Sequence, residues 1–332
     1  MTKKRKNKVI IIIASILLLI VIGLGLAGNY MVEYAIARSG DGGNRNVNTD
    51  KIQEKNEPAE QSKIDIKKDE IKKETKFFLQ KNPYEQAQIK SKDGLNLKGF
   101  YLENSPDSNA NWVLLIHGYR AEHDSMNDYA KQYYEAGYNV LLPDLRASGE
   151  SEGNYVGMGW LEKEDAKLWI DWIIERQPSA NIIVHGVSMG AATTMMLSGD
   201  ETKENVKMFI EDCGYTSAWD IFANEAKLRF NLPSFPLLNV SSALARVKAG
   251  YSFSEADALK QVGKSTKPML FIHGMKDDFV PFYMLDELYN AKTEGAKDKF
   301  VSETAGHADS IFADYSAYWA KVEEFIQANV PE

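Results

Sequence analysis

Apolar and polar residues divide this chain into stretches of different period. Residues 9–28 are apolar or small at every position except Ser15, and a run of that length crosses a hydrocarbon core as a helix. Residues 39–61 are rich in Asn, Gly, Asp, Glu and Lys and predict a solvated linker. Ile64, Ile71, Phe78 and Leu79 then recur among charges of both signs, which predicts an amphipathic lead-in helix over 64–80. From Pro83 the pattern changes to short β-branched runs alternating with helix-period stretches. Strands are expected at 86–91, 95–102, 112–116, 138–142, 181–187, 206–211, 269–272 and 299–302. Helices are expected at 126–135, 161–176, 191–197 and 313–328. Alternation of this kind, with strands apolar throughout, predicts an α/β fold whose parallel sheet is covered on both faces.

The alternation breaks over 217–264. Helical periods at Ala218–Phe230 and Leu237–Ala249 flank a Leu232-Pro-Ser-Phe-Pro236 stretch. The segment reads as a cap over the carboxyl ends of the strands, with Phe222, Leu228, Phe230, Phe235 and Leu238 as candidates to line an apolar pocket. The expected organisation is therefore a short N-terminus (1–8), a membrane segment (9–28), a linker with lead-in helix (29–82), and a main domain (83–332) containing the cap.

Charge sets the orientation of the first segment. Lys3, Lys4, Arg5, Lys6 and Lys8 precede the apolar run, and no basic residue follows it until Arg38. The positive-inside rule leaves the N-terminus in the cytoplasm and the domain outside, with the bilayer as a partner through residues 9–28. The rival reading is a cleaved signal peptide, with Ala35-Ile-Ala37 as its cleavage site. The net charge is −8 although the N-terminus is basic, which argues against a nucleic-acid partner. Cys213 is the sole cysteine; it excludes an internal disulfide and leaves no cysteine-based metal site to expect.

The chemistry begins at Gly186-Val-Ser-Met-Gly190, placed between a β-branched strand and a helix-forming stretch. Such a turn strains its central residue and lifts the Ser188 hydroxyl clear of the sheet, with glycines where side chains would collide. A serine needs a base, and the base needs an orienting acid. His117, His185 and His273 sit at strand ends, and His123 lies in a loop. His307 alone follows a strand-end acid, in Thr304-Ala-Gly-His-Ala-Asp309, and is the expected general base. Asp277, after the 269–272 strand, is the expected acid; Asp278 and Asp212 are the alternatives. The oxyanion donors are expected to be the backbone N–H groups of Met189 and Tyr119. Arg120 is either a carboxylate ligand or a solvated loop residue.

Taken together, His117-Gly-Tyr119, Asp144-Leu-Arg-Ala-Ser-Gly-Glu-Ser151, Gly186-Val-Ser-Met-Gly190, His273-Gly-Met-Lys-Asp277 and Gly306-His307 resemble the α/β-hydrolase superfamily over roughly 86–330. The Asp-x-Arg-x-x-Gly-x-Ser loop is similar to that of serine aminopeptidase-like and monoacylglycerol-lipase-like hydrolases, which usually carry Gly where Ala147 stands and often His at Ser148. The anchor, linker and Val156-Gly-Met-Gly-Trp160 resemble membrane-bound hydrolases of Gram-positive bacteria. The resemblance implies a mostly parallel eight-stranded sheet, a small helical cap and no cofactor; it does not fix a substrate. The first functional expectation is an ester or thioester hydrolase acting on a small-molecule acyl substrate through an acyl-enzyme. A peptidase would need an acidic clamp for peptide termini, for which Glu211 and Asp212 are the candidates. A binding protein on an inactive scaffold conflicts with the complete Ser, Asp, His set. A dehalogenase would carry Asp in place of Ser188, and a cofactor-free haloperoxidase would share the same three residues.

Overall fold

A computed structural model describes residues 3–38, 58–107 and 110–330; residues 39–57 of the expected linker lie outside the described residues. Eight strands form one sheet: β1 (Glu85–Lys90), β2 (Asn96–Leu102), β3 (Asn111–Ile116), β4 (Asn139–Pro143), β5 (Asn181–Val187), β6 (Val206–Asp212), β7 (Met269–Gly274) and β8 (Lys297–Ser302). Their spatial order is β1-β2-β4-β3-β5-β6-β7-β8. β1 pairs antiparallel with β2, and β2 with β4; every other pairing is parallel. The sheet is thus mostly parallel, as the alternation predicts. Its central strands are buried on both faces, and successive residues serve opposite layers. Trp112, Leu114 and Ile116 pack into one core, Val113 and Leu115 into the other.

Eleven α-helices are described: α1 (Lys3–Ile36), α2 (Pro58–Lys81), α3 (Asn127–Glu135), α4 (Glu162–Arg176), α5 (Met189–Ser198), α6 (Ala218–Phe230), α7 (Leu237–Ala249), α8 (Ala258–Val262), α9 (Tyr283–Ala291), α10 (Ser310–Ala313) and α11 (Tyr315–Asn329). The cap helices α6 and α7 have the predicted bounds. Ser217 caps α6 by accepting the Asp220 N–H at 3.0 Å, and both helices end on a residue in the left-handed region, Asn231 and Gly250. The helix expected at 313–328 is interrupted at Asp314, whose carboxylate accepts the Ser302 hydroxyl at 2.6 Å. α8 and α9 are not among the helices expected from the periodicity.

The largest departure from expectation is at the N-terminus. The apolar run does not end in a linker at residue 28; it belongs to one helix that reaches Ile36. The stretch Ile10–Ile36 is long and apolar enough to cross a membrane, with a mean hydropathy of 3.2 over its most apolar window. Ile10 through Ile22 are exposed, whereas Val32 and Ile36 are 0% exposed and part of the domain core. Met31, Val32, Ala35 and Ile36 recur at helical spacing, and that periodicity turns the inner end of α1 toward the domain. The contact with α7 is close: a Cβ on Gly28 would stand 2.7 Å from Val240. The chain then leaves α1 through a bridge between Ala37 and Tyr155. α2 also packs on the body, burying Ile64 and Ile71 and joining Thr75 to Asp128 at 2.6 Å.

Candidate active site

Ser188 stands between β5 and α5 with φ 58° and ψ −116°, a conformation that L residues adopt only under local constraint. The constraint is visible in its neighbours. A Cβ on Gly186 would lie 2.0 Å from the Gly190 carbonyl oxygen, and one on Gly190 would lie 1.9 Å from that of Ile116. The Ser188 N–H donates to the Asp212 carbonyl at 2.8 Å and ties the turn to β6.

The loop after β8 brings His307 to this turn. Its Nε2 lies 2.9 Å from Ser188 Oγ, and its Nδ1 lies 2.7 Å from Asp277 Oδ2. Asp277 comes from the loop after β7, where its other oxygen accepts the N–H groups of Phe279 (3.0 Å) and Val280 (2.8 Å). Burial alone would raise the Asp277 pKa, but the charge of His307 and hydrogen bonds from His273 and His307 hold it well below the carboxylate range. Burial would depress His307, and the facing Asp277 carboxylate outweighs it, so the imidazole is held above its ordinary value. Ser188, His307 and Asp277 thus form one hydrogen-bonded line.

The other histidines are occupied elsewhere. His117 Nδ1 faces the Gly118 carbonyl while Nε2 accepts the Leu145 N–H at 3.0 Å, and burial lowers its pKa to about 4. His185 sits between the hydroxyls of Tyr133 and Tyr318, with burial lowering it to about 3. His123 stacks on Phe100 at 3.5 Å and meets Asp144. His273 Nε2 donates to the Val280 carbonyl at 2.9 Å and supports the Asp277 loop.

Asp277, and neither alternative acid, holds His307 Nδ1. Asp278 lines the cavity beside it. Asp212 is buried below the turn, raised to about 6 by burial, and accepts from Tyr318 at 3.0 Å. Glu211 is also buried, accepting the Gly214 N–H at 3.0 Å. Neither Glu211 nor Asp212 lines the cavity described below, so the structure does not bring the two peptide-clamp candidates to the site. Cys213 Sγ lies within 4.8 Å of ligand atoms of Asp277 and His307. The composition alone gave no reason to expect that grouping, but both partners are already joined to each other.

Met189 opens α5, so its N–H is among those the helix leaves unused. Gly118 packs against Ser188, since a Cβ added to it would stand 3.4 Å from that of the serine, and Tyr119 follows it. The Arg120 guanidinium donates to the Tyr34 carbonyl of α1 at 2.6 Å, and the residue also lines the cavity described below. The Tyr119 hydroxyl donates to the adjacent Ala35 carbonyl.

A cavity of about 530 Å³ opens over Ser188 and His307. Its walls come from Met158, Tyr215, Phe222, Phe230, Leu238 and Phe253, and also from Met31, Tyr34 and Ala35 of α1. Leu228 and Phe235, expected to line it, are not among its walls and are exposed instead. Helix periodicity fixes which residues share a face, not which face the cap turns inward. A second hollow of about 900 Å³ also reaches Ser188 and His307, bordered by Lys68, Lys72, Asp124, Ser125 and Asn127.

The Asp144 loop supports the site without entering it. Asp144 accepts the N–H groups of His123 and Glu150, both at 2.8 Å, and Arg146 forks onto Asp165 with two contacts of 2.7 Å. Ala147 has φ 60°, which explains physically why Gly is the usual residue at this position. Sequence reasoning missed the contribution of α1 to the cavity wall.

Over residues 107–217 the chain matches the family described as serine aminopeptidase, S33. The uncharacterized protein YqkD of Bacillus subtilis (strain 168) is 29% identical over 239 residues, spanning 72% of this chain and 77% of its own. A thermostable monoacylglycerol lipase of Bacillus sp. (strain H-257) is 35% identical over 104 residues, 30% of this chain and 38% of its own. Among solved structures, the Pyrococcus furiosus esterase Pf2001 aligns with a TM-score of 0.62 at 23% identity, covering 76% of this chain and 93% of that one. With its eight-stranded sheet, its strained serine turn and these likenesses, the chain has the α/β-hydrolase fold, and its residues 107–217 match the serine aminopeptidase, S33 family of hydrolases.

Proposed function

We propose that this protein is a membrane-anchored serine hydrolase that cleaves carboxylic esters or thioesters. The observation that carries the reading is the unbroken line Ser188–His307–Asp277 at the base of an apolar cavity. His307 Nε2 removes the Ser188 proton as Oγ attacks the acyl carbon, and Asp277 stabilises the imidazolium that results. The Met189 and Tyr119 N–H groups receive the developing oxyanion. His307 then protonates the leaving alcohol or thiol, an acyl-Ser188 intermediate remains, and a water deprotonated by His307 releases it. The apolar cavity suits the acyl chain, and the second hollow, less apolar than the first, suits the leaving group. The basic residues ahead of α1's apolar run favour a cytoplasmic N-terminus and a domain on the far side of the membrane.

The test uses the full chain in detergent or nanodiscs, because Val32, Ile36, Ile64 and Ile71 are buried in the domain and a fragment lacking them would lose core. A fluorophosphonate probe should label the wild type and not Ser188→Ala, and p-nitrophenyl esters should be turned over only by the wild type. Labelling without ester turnover, joined to cleavage of aminoacyl amides, would replace the ester reading with a peptidase. A folded protein that takes no label would overturn the hydrolase reading.

A further inference from the structure

The cavity wall and the membrane segment belong to the same helix, and this constrains where the site sits. Along the α1–α7 contact, the Ser241 hydroxyl reaches the Gly28 carbonyl, and Lys248 pairs with Glu33. Positions increase together, so the two helices run roughly parallel there. Leu237, at the start of α7, therefore lies roughly 6 Å beyond Ser241 toward the apolar run. That places it level with Leu24 and Gly25, which are half-buried between the exposed Ile22 and Leu26. Phe235 and Leu232 come still earlier in the chain, in a stretch without a charged residue, and Phe235 is 76% exposed. Tyr30 stacks on Tyr34, and Tyr34 meets Phe230 edge-on at 6.2 Å, continuing the aromatic surface to the cavity wall. Tyrosines suit the boundary between acyl chains and water.

We infer that the lip of the cap, with Leu232 and Phe235, seats in the leaflet nearest the domain, and that the cavity takes the acyl chain of an ester-bearing amphiphile directly from the bilayer. An apolar surface continuous with a membrane-spanning helix and level with its apolar stretch has the bilayer as its nearest occupant. Seating the lip removes apolar area from water. It also lets a chain pass from lipid to cavity wall without full exposure to water. The substrate part rests on the ester-hydrolase reading above; the seating part does not.

The experiment places the full chain in phosphatidylcholine nanodiscs with a nitroxide on Phe235→Cys; Cys213 is buried, and wild type carried through labelling is the blank. The expected result is a label accessible to oxygen and shielded from a water-soluble nickel chelate. Accessibility to nickel would overturn the seating, and shielding from both would overturn it in favour of a second copy or another protein. In parallel, Phe235→Asp and Leu232→Asp should hydrolyse bilayer-embedded monoacylglycerol at least about tenfold more slowly, while p-nitrophenyl butyrate hydrolysis and fluorophosphonate labelling stay within about twofold of wild type. Equal loss on both esters, or on neither, overturns delivery from the bilayer. A wild type that hydrolyses neither ester and takes no label overturns the ester reading and the substrate part with it, while the depth measurement still decides the seating.

Discussion

The two sides of Ser188 are built differently. On the sheet side, β5, β7 and β8 deliver Ser188, Asp277 and His307 to one point, and every contact among them is a hydrogen bond from a loop at a strand end. On the cap side, α1, α6 and α7 supply mainly apolar wall, assembled from segments about two hundred residues apart in sequence. On the function proposed, the first arrangement fixes what chemistry occurs. The second fixes what is admitted. Substitutions on the sheet side should therefore act on turnover at unchanged affinity, and those on the cap side on stability, affinity and selectivity.

Asp277→Asn should give the largest effect, a fall in kcat on the order of 10⁴-fold with KM within a few-fold, because the amide no longer holds the His307 tautomer or its positive charge. Steady-state kinetics on a soluble ester reads this directly; an equal loss in KM would move Asp277 to the binding side. The same pair governs pH dependence. Protonated His307 cannot take the Ser188 proton, so kcat/KM should fall as pH drops through the His307 pKa. Because Asp277 holds that pKa above the ordinary 6.5, the midpoint should lie above 6.5. A pH–rate profile of wild type checks it, and residual turnover by Asp277→Asn should show the midpoint moved downward.

Next in size is Val32→Asp. It would place a charge among fully buried apolar groups where α1 enters the core, and the domain should lose on the order of 3 kcal/mol or more in stability. Leu19→Ala, in the exposed half of the same helix, should change domain unfolding by less than about 0.5 kcal/mol. Thermal unfolding of both variants in detergent makes the comparison, and equal effects would separate α1 from the cap side altogether.

Phe222→Ala should act on selection alone. Phe222 lines the cavity and packs on Phe253 at 4.6 Å. Truncation lengthens the space available, so the preference among p-nitrophenyl esters should shift toward longer chains by about tenfold in relative kcat/KM. A uniform loss across chain lengths would show that Phe222 holds the cap in place and does not measure the acyl chain.

The contrast between the two sides also explains what the sequence makes legible. The serine turn is readable because its constraints are local: two glycines, a strand before and a helix after. The placement of Asp277 and His307 beside Ser188 is readable because each follows a strand end in the expected order, although nothing local separates Asp277 from Asp278; only the loop geometry aims one at His307 and the other along the cavity wall. The lead-in helix is readable from Ile64 and Ile71. The inner end of α1 is harder, because a uniformly apolar run hides the point at which the helix passes from exposed to buried against the domain. Gly28, Val32 and Ile36 carry that signal, yet their spacing has meaning only once α7 is known to lie against them. The inward face of the cap is hidden for the same reason, which is why Phe230 and Phe235, five residues apart, end in different surroundings.

The smallest effect is expected where the two sides meet. The Tyr119 hydroxyl donates to the Ala35 carbonyl, and Arg120 donates to that of Tyr34, so the loop proposed to supply an oxyanion donor is tied to the end of α1. Arg120 has φ 56°, a conformation that a non-glycine residue holds only when its surroundings demand it. Tyr119→Phe leaves the backbone N–H in place and removes only the tether. One hydrogen bond contributes about 1 kcal/mol net, so kcat should fall about fivefold with little change in KM or in thermal stability. If kcat is unchanged, the loop is positioned from the sheet side alone, and α1 contributes wall and nothing more. If KM rises instead, the tether shapes the cavity and not the oxyanion donor. The expected fivefold loss in kcat would mean that the helix carrying the membrane-length apolar run also sets the geometry at which Ser188 reacts.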